Sequence, residues 1–219
     1  MNDIIVCMRK ELLKRKILNT GALCISFFKL IPDWFKLGHN SIVLDCGANV
    51  GHITRLFAST GATVIAFEPD PVAFKQLSKR CKKRKNVILI QKGVWDKNSI
   101  IKLYTHKETT GNEPSFTVGS SIVAEKINVS VENFQSIEVI DLVEYMQSQK
   151  RRINLVKLDV EGAEIAILKR ILETNAWHLF DRMYVETHET KIPSQLEDLE
   201  WIKQQLKEKK IMHIKLNWV

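Results

Sequence analysis

The chain has 219 residues, of which 26% are charged, and a formal net charge of +8. This length suits one α/β domain with a sizeable core and is too short for two comfortable domains. Its four cysteines are not closely paired and lack the spacing of metal ligands, which argues against a zinc site or a disulfide framework and favours a reducing, cytoplasmic setting.

Residues 1–40 are predicted to form a helical extension. Apolar residues recur there at helical spacing until Gly21, which is expected to break the helix. The apolar stretch that follows contains Lys29 and ends at Pro32, far short of the roughly 20 residues of a membrane span. A signal peptide is not expected, because Glu11 intrudes and no small-residue cleavage site follows. The aromatic residues of this extension leave open a peripheral contact with a membrane surface, although packing over a ligand site is the commoner use.

The stretch from Ile42 to Gly51 predicts a strand followed by a turn that could bind a ligand, and the later motifs are interpreted in relation to it. Its first residues are apolar and mostly β-branched, which is typical of a buried strand in a parallel sheet. The turn that follows, Asp45-x-Gly47-x-Asn49-x-Gly51, differs from the G-x-G-x-x-G that cradles a pyrophosphate. An acid at the strand end suits a cationic ligand such as S-adenosylmethionine.

A second strand, Thr63 to Phe67, is expected after a helix from His52 to Thr60. It ends in Glu68-Pro69-Asp70. A carboxylate at this place in a βαβ unit can accept both hydrogen bonds from a ribose diol, which makes Glu68 the candidate. The alternative is a solvated loop acid.

The chain from residue 41 alternates strands and helices and predicts a doubly wound, mostly parallel sheet with helices on both faces. A helix from Pro71 to Lys85 and a strand from Val87 to Gln91 come next. Residues 95–139 change character and predict a β-rich insertion in a domain of residues 41–219. The turn-rich part of this insertion, Thr109 to Val123, is expected to line an acceptor site or to form a lid.

The last third of the chain returns to the α/β pattern. Asp141 can cap a short helix, and Ile153 to Gly162 forms an apolar strand that ends in acids. Lys157 lies within that strand, and a buried ammonium must be paired, so a carboxylate partner is expected on an adjacent strand. Three elements follow: a helix to about Glu173, the strand Arg182 to Thr187, and a helix from Pro193 to Lys210. One more strand, Met212 to Trp218, is expected at the end, which predicts a sheet truncated before a final two-stranded hairpin.

Four motifs in order, LDCGANVG, FEPDP, VKLDVEGAEIAIL and YVETHE, resemble those of the FkbM family of S-adenosylmethionine-dependent methyltransferases. The resemblance covers about residues 41–189, and KLDVEGAE is its most specific part. It implies a class I methyltransferase fold and methylation of hydroxyl oxygens on sugars, glycans or polyketide-like small molecules.

The resemblance also assigns roles to particular residues. It implies that the methionine side of the cofactor lies on the first loop, the ribose on Glu68, and the adenine between residues that follow the third strand. The implied cofactor residues are Asp45, Gly47, Asn49, Gly51, Glu68, Gly93 and Val94. At the fourth and fifth strand ends the matching residues are Asp159, Glu161, Glu164, Glu186 and His188.

The catalytic hypothesis places Asp159, Glu186 and His188 together, because neighbouring parallel strands end at one edge of the sheet. Methyl transfer needs the acceptor oxygen in line with the methyl group and the hydroxyl proton removed. His188, with an ordinary pKa of about 6.5, fits that task, and either carboxylate could orient it or accept the proton. The same groups could hold a divalent ion, but no fixed ligand spacing defines one.

Two other functions are compatible with parts of the sequence. The basic charge invites a nucleic-acid methyltransferase, but the turn Asp159-Val160-Glu161-Gly162 lacks the Asn/Asp-Pro-Pro-aromatic sequence of base-amine methylation, and its carboxylates would repel phosphates. The other alternative is a cofactor fold retained as a non-catalytic binding module. The predicted partner is therefore a small-molecule or glycan acceptor, and the sequence defines no oligomeric state.

Overall fold

The computed structural model describes residues 33–106, 129–216 and 218. Most of the expected N-terminal extension lies outside these residues. So does the turn-rich segment Thr109 to Val123, for which a lid was predicted. The division into an extension, a domain and an insertion therefore stays a prediction.

The described residues form nine strands and five α-helices in an order that alternates over most of the chain. The strands are β1 (Ile42–Cys46), β2 (Thr63–Phe67), β3 (Val87–Ile90), β4 (Gly93–Trp95), β5 (Ser99–His106), β6 (Val129–Asp141), β7 (Leu155–Leu158), β8 (Met183–Val185) and β9 (Ile214–Lys215). The helices are α1 (His52–Ala58), α2 (Pro71–Cys81), α3 (Leu142–Ser148), α4 (Glu164–Glu173) and α5 (Leu196–Glu208).

The main sheet has six strands in the order β3-β2-β1-β7-β8-β9, and each neighbouring pair is parallel. The strand order reverses between β1 and β7, so the chain crosses from one half of the sheet to the other there. Ligands bind at such a reversal point in doubly wound sheets, outside the carboxyl ends of the strands. The predicted doubly wound sheet is confirmed, including a single strand in the described residues after α5.

Helices cover both faces of this sheet, which explains why its central strands are apolar throughout. All five residues of β1 are buried. Leu44 packs on one face in a cluster with residues of α3, α4 and α5, and Val43 packs on the other with Leu56 and Phe57 of α1. A parallel strand with two covered faces has no solvent side on which polar residues can alternate.

A second, three-stranded sheet has the order β4-β6-β5. Strands β5 and β6 pair antiparallel and carry the β character predicted for the middle of the chain. Strand β4 pairs parallel to β6 and was not predicted. Its three residues are too few for a periodic pattern, so Gly93 and Val94 were expected only to follow the third strand. The structure places them in the smaller sheet.

Asp141 joins this small sheet to the main core. Its carboxylate accepts hydrogen bonds from the amides of Val143 and Glu144, which confirms the predicted cap of α3. The other carboxylate oxygen lies 3.1 Å from the guanidinium of Arg170 on α4. The last residue of β6 is thus tied to two helices at once.

Replacement of Asp141 by alanine is expected to lower the free energy of unfolding by about 1 to 3 kcal/mol, since both the cap and the contact with Arg170 are lost. Asp141→Asn keeps an acceptor for the cap and should cost clearly less. Urea denaturation followed by circular dichroism measures both. An alanine variant as stable as the wild type would contradict this view of the junction.

Candidate active site

The turn between β1 and α1 is closed tightly against the turn after β7. Gly47 has φ of 77°, and a Cβ placed on it would lie 1.7 Å from the carbonyl oxygen of Asp159. No side chain fits there, so only glycine permits this approach. The amides of Gly47 and Ala48 donate to the carbonyl of Phe67 at the end of β2. The three strand ends therefore form one continuous shelf.

Glu68, which follows β2, stabilises this group of turns through hydrogen bonds. Its two carboxylate oxygens accept from the amide of Asn49 at 2.7 Å and from the amide of Asp70 at 2.9 Å. The residue is only 7% exposed, which excludes a solvated loop acid. Burial raises the pKa of Glu68 to about 7, although the two amide hydrogen bonds act to lower it. Asn49, in a left-handed conformation with φ of 49°, presents its amide to this carboxylate.

Lys157 lies at the centre of the site and confirms the predicted carboxylate partner. Its ammonium is 3.0 Å from Asp159 and 3.6 Å from Asp45, which is the residue beside it on β1. It also donates to the carbonyl of Gly47 at 2.7 Å. Burial acts to lower the pKa of Lys157, but the carboxylates of Asp159 and Asp45 outweigh it and raise the pKa, so the ammonium stays charged.

Asp45 is completely buried behind the turn. One of its oxygens accepts a hydrogen bond of 2.6 Å from the Thr54 hydroxyl, and the other faces Lys157. Its predicted part in cofactor binding would therefore act through the shape of the turn. The sequence does not predict the contact with Thr54, because a single threonine within a helix gives no signal for such a partner.

Gly93 and Val94 lie near the end of β2. Both residues are buried in β4, and a Cβ on Gly93 would be 2.9 Å from Val139 and 3.7 Å from Pro69, the residue after Glu68. The predicted adenine residues are therefore close to the predicted ribose acid. That proximity agrees with a shared cofactor site.

The turn after β7 is braced by Glu164. Glu161 and Gly162 adopt positive φ values of 58° and 121°. The buried carboxylate of Glu164, in the first turn of α4, accepts from the amides of Val160 and Gly162, both at 2.8 Å. Glu164 is thus a helix-start acid that shapes the turn and leaves Glu161 projecting from it.

His188, which follows β8, faces this turn. Its Nε2 is 3.1 Å from a carboxylate oxygen of Glu161 and 3.8 Å from one of Glu186, and its Nδ1 is 3.2 Å from one of Glu164. These are close charge contacts that lack the alignment of hydrogen bonds. Burial acts to lower the pKa of His188, but Glu161 and Glu164 raise it to about 10. The near-neutral pKa on which its role as a base was argued is therefore wrong.

Two carboxylates of this cluster have pKa values shifted upwards. Burial and the neighbouring Asp159 raise the pKa of Glu186 to about 7. Burial also raises the pKa of Asp159, although Lys157 acts to lower it. The side chains of Asp159 and Glu186 are 24% and 25% exposed, so both can be reached from solvent. The three predicted catalytic residues do meet at one edge of the sheet.

The strand order, the glycine turn at its reversal point and the acids at the strand ends define a Rossmann-like doubly wound fold, of which the class I methyltransferase fold is one form. The family model of the methyltransferase FkbM domain matches residues 45–209, and the chain belongs to this family. The resemblance found in the motifs is thereby confirmed.

Three relatives bear the names of methyltransferases. The chain is 26% identical to Methyltransferase 1 of Beauveria bassiana, over 69% of this chain and 66% of that protein. It is 28% identical to the hexuronic acid methyltransferase AglP of Haloferax volcanii, over 68% and 56%. It is 29% identical to the methyltransferase sdnD of Sordaria araneosa, over 72% and 70%. The matches thus span between 56% and 70% of the relatives' own lengths.

Among the residues that the structure describes, no helix is long and apolar enough to cross a membrane.

Replacement of Lys157 by methionine is expected to lower the free energy of unfolding by about 3 kcal/mol or more, because Asp45 would be left as an unpaired buried charge. The double variant Asp45→Asn with Lys157→Met removes both charges and should recover much of that loss. Guanidinium denaturation of the wild type, both single variants and the double variant gives the coupling between the residues. Equal stability of Lys157→Met and the wild type would show that the ammonium is not needed for folding.

Proposed function

We propose that this protein is an S-adenosylmethionine-dependent O-methyltransferase that methylates a hydroxyl of a sugar, glycan or polyketide-like small molecule. One observation carries the proposal: the contact between Gly47 and Asp159 joins the predicted cofactor turn to the carboxylate cluster. A methyl group at the sulfonium of a cofactor on that turn would face the cluster. Membership of a methyltransferase family supports the same reaction type.

The cofactor would lie along the ends of β1, β2 and β4. Gly47, Asn49 and Gly51 would hold the methionine side through their backbone, with Asp45 fixing the turn from behind. Glu68 already accepts two amide hydrogen bonds and has lone pairs left for the ribose hydroxyls. The backbone and side chain around Gly93 and Val94 would then enclose the adenine.

A sugar hydroxyl is the acceptor class that suits the rest of the site. The solvent-accessible carboxylates of Asp159, Glu161 and Glu186 can accept hydrogen bonds from several hydroxyl groups at once. The name of the relative from Haloferax volcanii, a hexuronic acid methyltransferase, supports a sugar acceptor. A nucleic acid fits less well, because clustered carboxylates repel its phosphates.

Methyl transfer here would combine positioning with removal of a proton. The shelf holds the methyl donor, and the carboxylates orient the acceptor oxygen in line with the methyl group. Asp159 or Glu186, both open to the acceptor, would take the hydroxyl proton during or after attack. His188 is buried between these carboxylates, so its role would be to position them.

The proposal is tested by calorimetry with S-adenosylmethionine and by transfer of a labelled methyl group to a panel of acceptors. The panel contains neutral sugars, hexuronic acids, polyketide alcohols and short RNA and DNA oligonucleotides. Label on a hydroxyl oxygen of a small molecule supports the proposal. Label only on an oligonucleotide would replace it with the nucleic-acid alternative, and a folded protein that fails to bind the cofactor would contradict it.

Glu68→Gln is expected to weaken S-adenosylmethionine binding about tenfold or more at pH 8, because charge-assisted hydrogen bonds to the ribose are lost. Since the pKa of Glu68 is raised to about 7, the wild type should also bind more weakly as the pH falls below about 7, by up to tenfold per pH unit. The difference between the two proteins, measured by calorimetry from pH 5.5 to 8.5, cancels the titration of the ligand itself.

The effect of Glu68 on folding has the opposite sign. A carboxyl whose pKa is raised on folding stabilises the folded state at low pH, and this stabilisation is lost as the pH rises from about 4.5 to about 7. Protonation of Glu68 would therefore weaken cofactor binding without itself destabilising the fold. Identical pH profiles of affinity for wild type and Glu68→Gln would rule Glu68 out as the ribose acid.

Asp159→Asn and Glu186→Gln are each expected to lower the rate of methyl transfer by about 10² to 10⁴, with little change in cofactor affinity, if the residue takes part in proton transfer. His188→Ala should also slow the reaction, since the carboxylates around it lose their counter-charge. Single-turnover kinetics with the acceptor found above measures these rates. Wild-type rates in all three variants would leave positioning of the substrates as the whole mechanism.

A further inference from the structure

We infer that Asp159, Glu161 and His188 form a binding site for one divalent first-row transition-metal ion, of which Mn²⁺ is the suitable probe. Binding of the ion follows from the arrangement of these three residues alone. Its use, which is to hold the acceptor hydroxyl beside the methyl donor, rests on the function proposed above.

The donor atoms have nearly the spacing of a coordination sphere. One atom from each of the three residues can be chosen so that all lie within 4.8 Å of one another. Metal bonds of about 2.0 to 2.2 Å place neighbouring ligands about 3 Å apart and opposite ligands a little over 4 Å apart. The 3.1 Å between Nε2 of His188 and the carboxylate of Glu161 matches the shorter spacing. Shifts of a few tenths of an ångström in the side chains would bring the remaining donor atoms to coordination distances.

The histidine is placed as metal-binding histidines are. It is 3% exposed, and neither ring nitrogen has an aligned hydrogen-bond partner. Its Nδ1 faces Glu164, whose carboxylate is fixed by the amides of Val160 and Gly162. A ligating histidine usually directs its other ring N–H to a carboxylate held in this way, which selects the tautomer and aims the free nitrogen at the metal. Nε2 then faces Glu161 and Glu186.

The charge of the cluster also favours a cation. The carboxylates of Asp159, Glu161, Glu164 and Glu186 face the ammonium of Lys157 and the ring of His188, which must release its Nε2 proton to bind a metal ion. Negative charges at this density disfavour one another in a partly buried site. The side chains of Asp159, Glu161 and Glu186 are each about a quarter exposed, so an ion can reach them from solvent. An ion bound there would have coordination positions left for an acceptor oxygen.

The mixture of donors indicates the class of metal. Carboxylate oxygens suit Mg²⁺, Ca²⁺ and Mn²⁺, whereas an imidazole nitrogen suits first-row transition metals. Two carboxylates with one imidazole therefore favour Mn²⁺ and its neighbours over Mg²⁺ or Ca²⁺. The opposing interpretation is a metal-free ion pair, in which an imidazolium neutralises Glu161 and Glu164.

The test uses the full chain without a polyhistidine tag, after dialysis against a chelator. Titration with MnCl₂, followed by the paramagnetic resonance of the free ion, should show one saturable site. Glu161→Gln and His188→Gln should each weaken it at least tenfold. Glu173→Gln, an exposed acid at the far end of α4, is the matched control and should leave it unchanged. Circular dichroism checks that each variant is folded. If His188→Gln does not fold, the effect of Glu161→Gln on Mn²⁺ affinity alone decides whether the site exists.

Pulsed paramagnetic resonance adds a readout that a merely structural histidine would not give. Nitrogen coupling from one imidazole should be present with Mn²⁺ in the wild type and absent in His188→Gln. Lack of saturable binding up to millimolar Mn²⁺, or binding unaffected by Glu161→Gln, would overturn the inference. Metal binding without methyl transfer to any acceptor of the panel would leave this site standing and contradict the proposed function. Transfer at full rate with no metal bound would leave the proposed function standing and contradict the use of the ion in it.

Discussion

The ammonium of Lys157, buried between β1 and β7, is the interaction on which the arrangement of the site depends. It neutralises Asp45, which would otherwise be an isolated charge in the core, and it touches the carbonyl of Gly47 and the carboxylate of Asp159. A buried ion of this kind is tolerated only when its partners are held in place. The turn after β1 and the turn after β7 are consequently held together by one buried charge at the point where the strand order reverses.

Several carboxylates lie close together at the edge formed by the carboxyl ends of the strands, and their mutual repulsion lowers the stability of the folded state. Glu68 and Glu186 have pKa values raised to about 7, because each is largely removed from water and close to another acid. Groups with strongly shifted pKa values cluster at functional sites, where a property other than stability is required of them. His188 and Lys157 limit the cost of this crowding. Ionisable groups with strongly shifted pKa values thus lie where a substrate and a cofactor would meet.

Features set by neighbouring residues were predictable from the sequence, and those set by distant contacts were not. Strand β2 and the helix cap at Asp141 follow from local patterns of apolar and capping residues. The need for a partner to Lys157 followed from its place in an apolar strand. Strand β4 is too short to show a period. The raised pKa of His188 depends on Glu161 and Glu164, which lie far from it along the chain and approach only when β7 and β8 pair.

The close approach at Gly47 limits how this architecture can diversify. Because the backbone at position 159 occupies the volume of a side chain at position 47, neither turn can shift without the other. The distance between the turn after β1 and the carboxylates of the turn after β7 is therefore fixed by the scaffold. If the proposed function holds, changes in acceptor range during evolution would fall on the elements around these two turns.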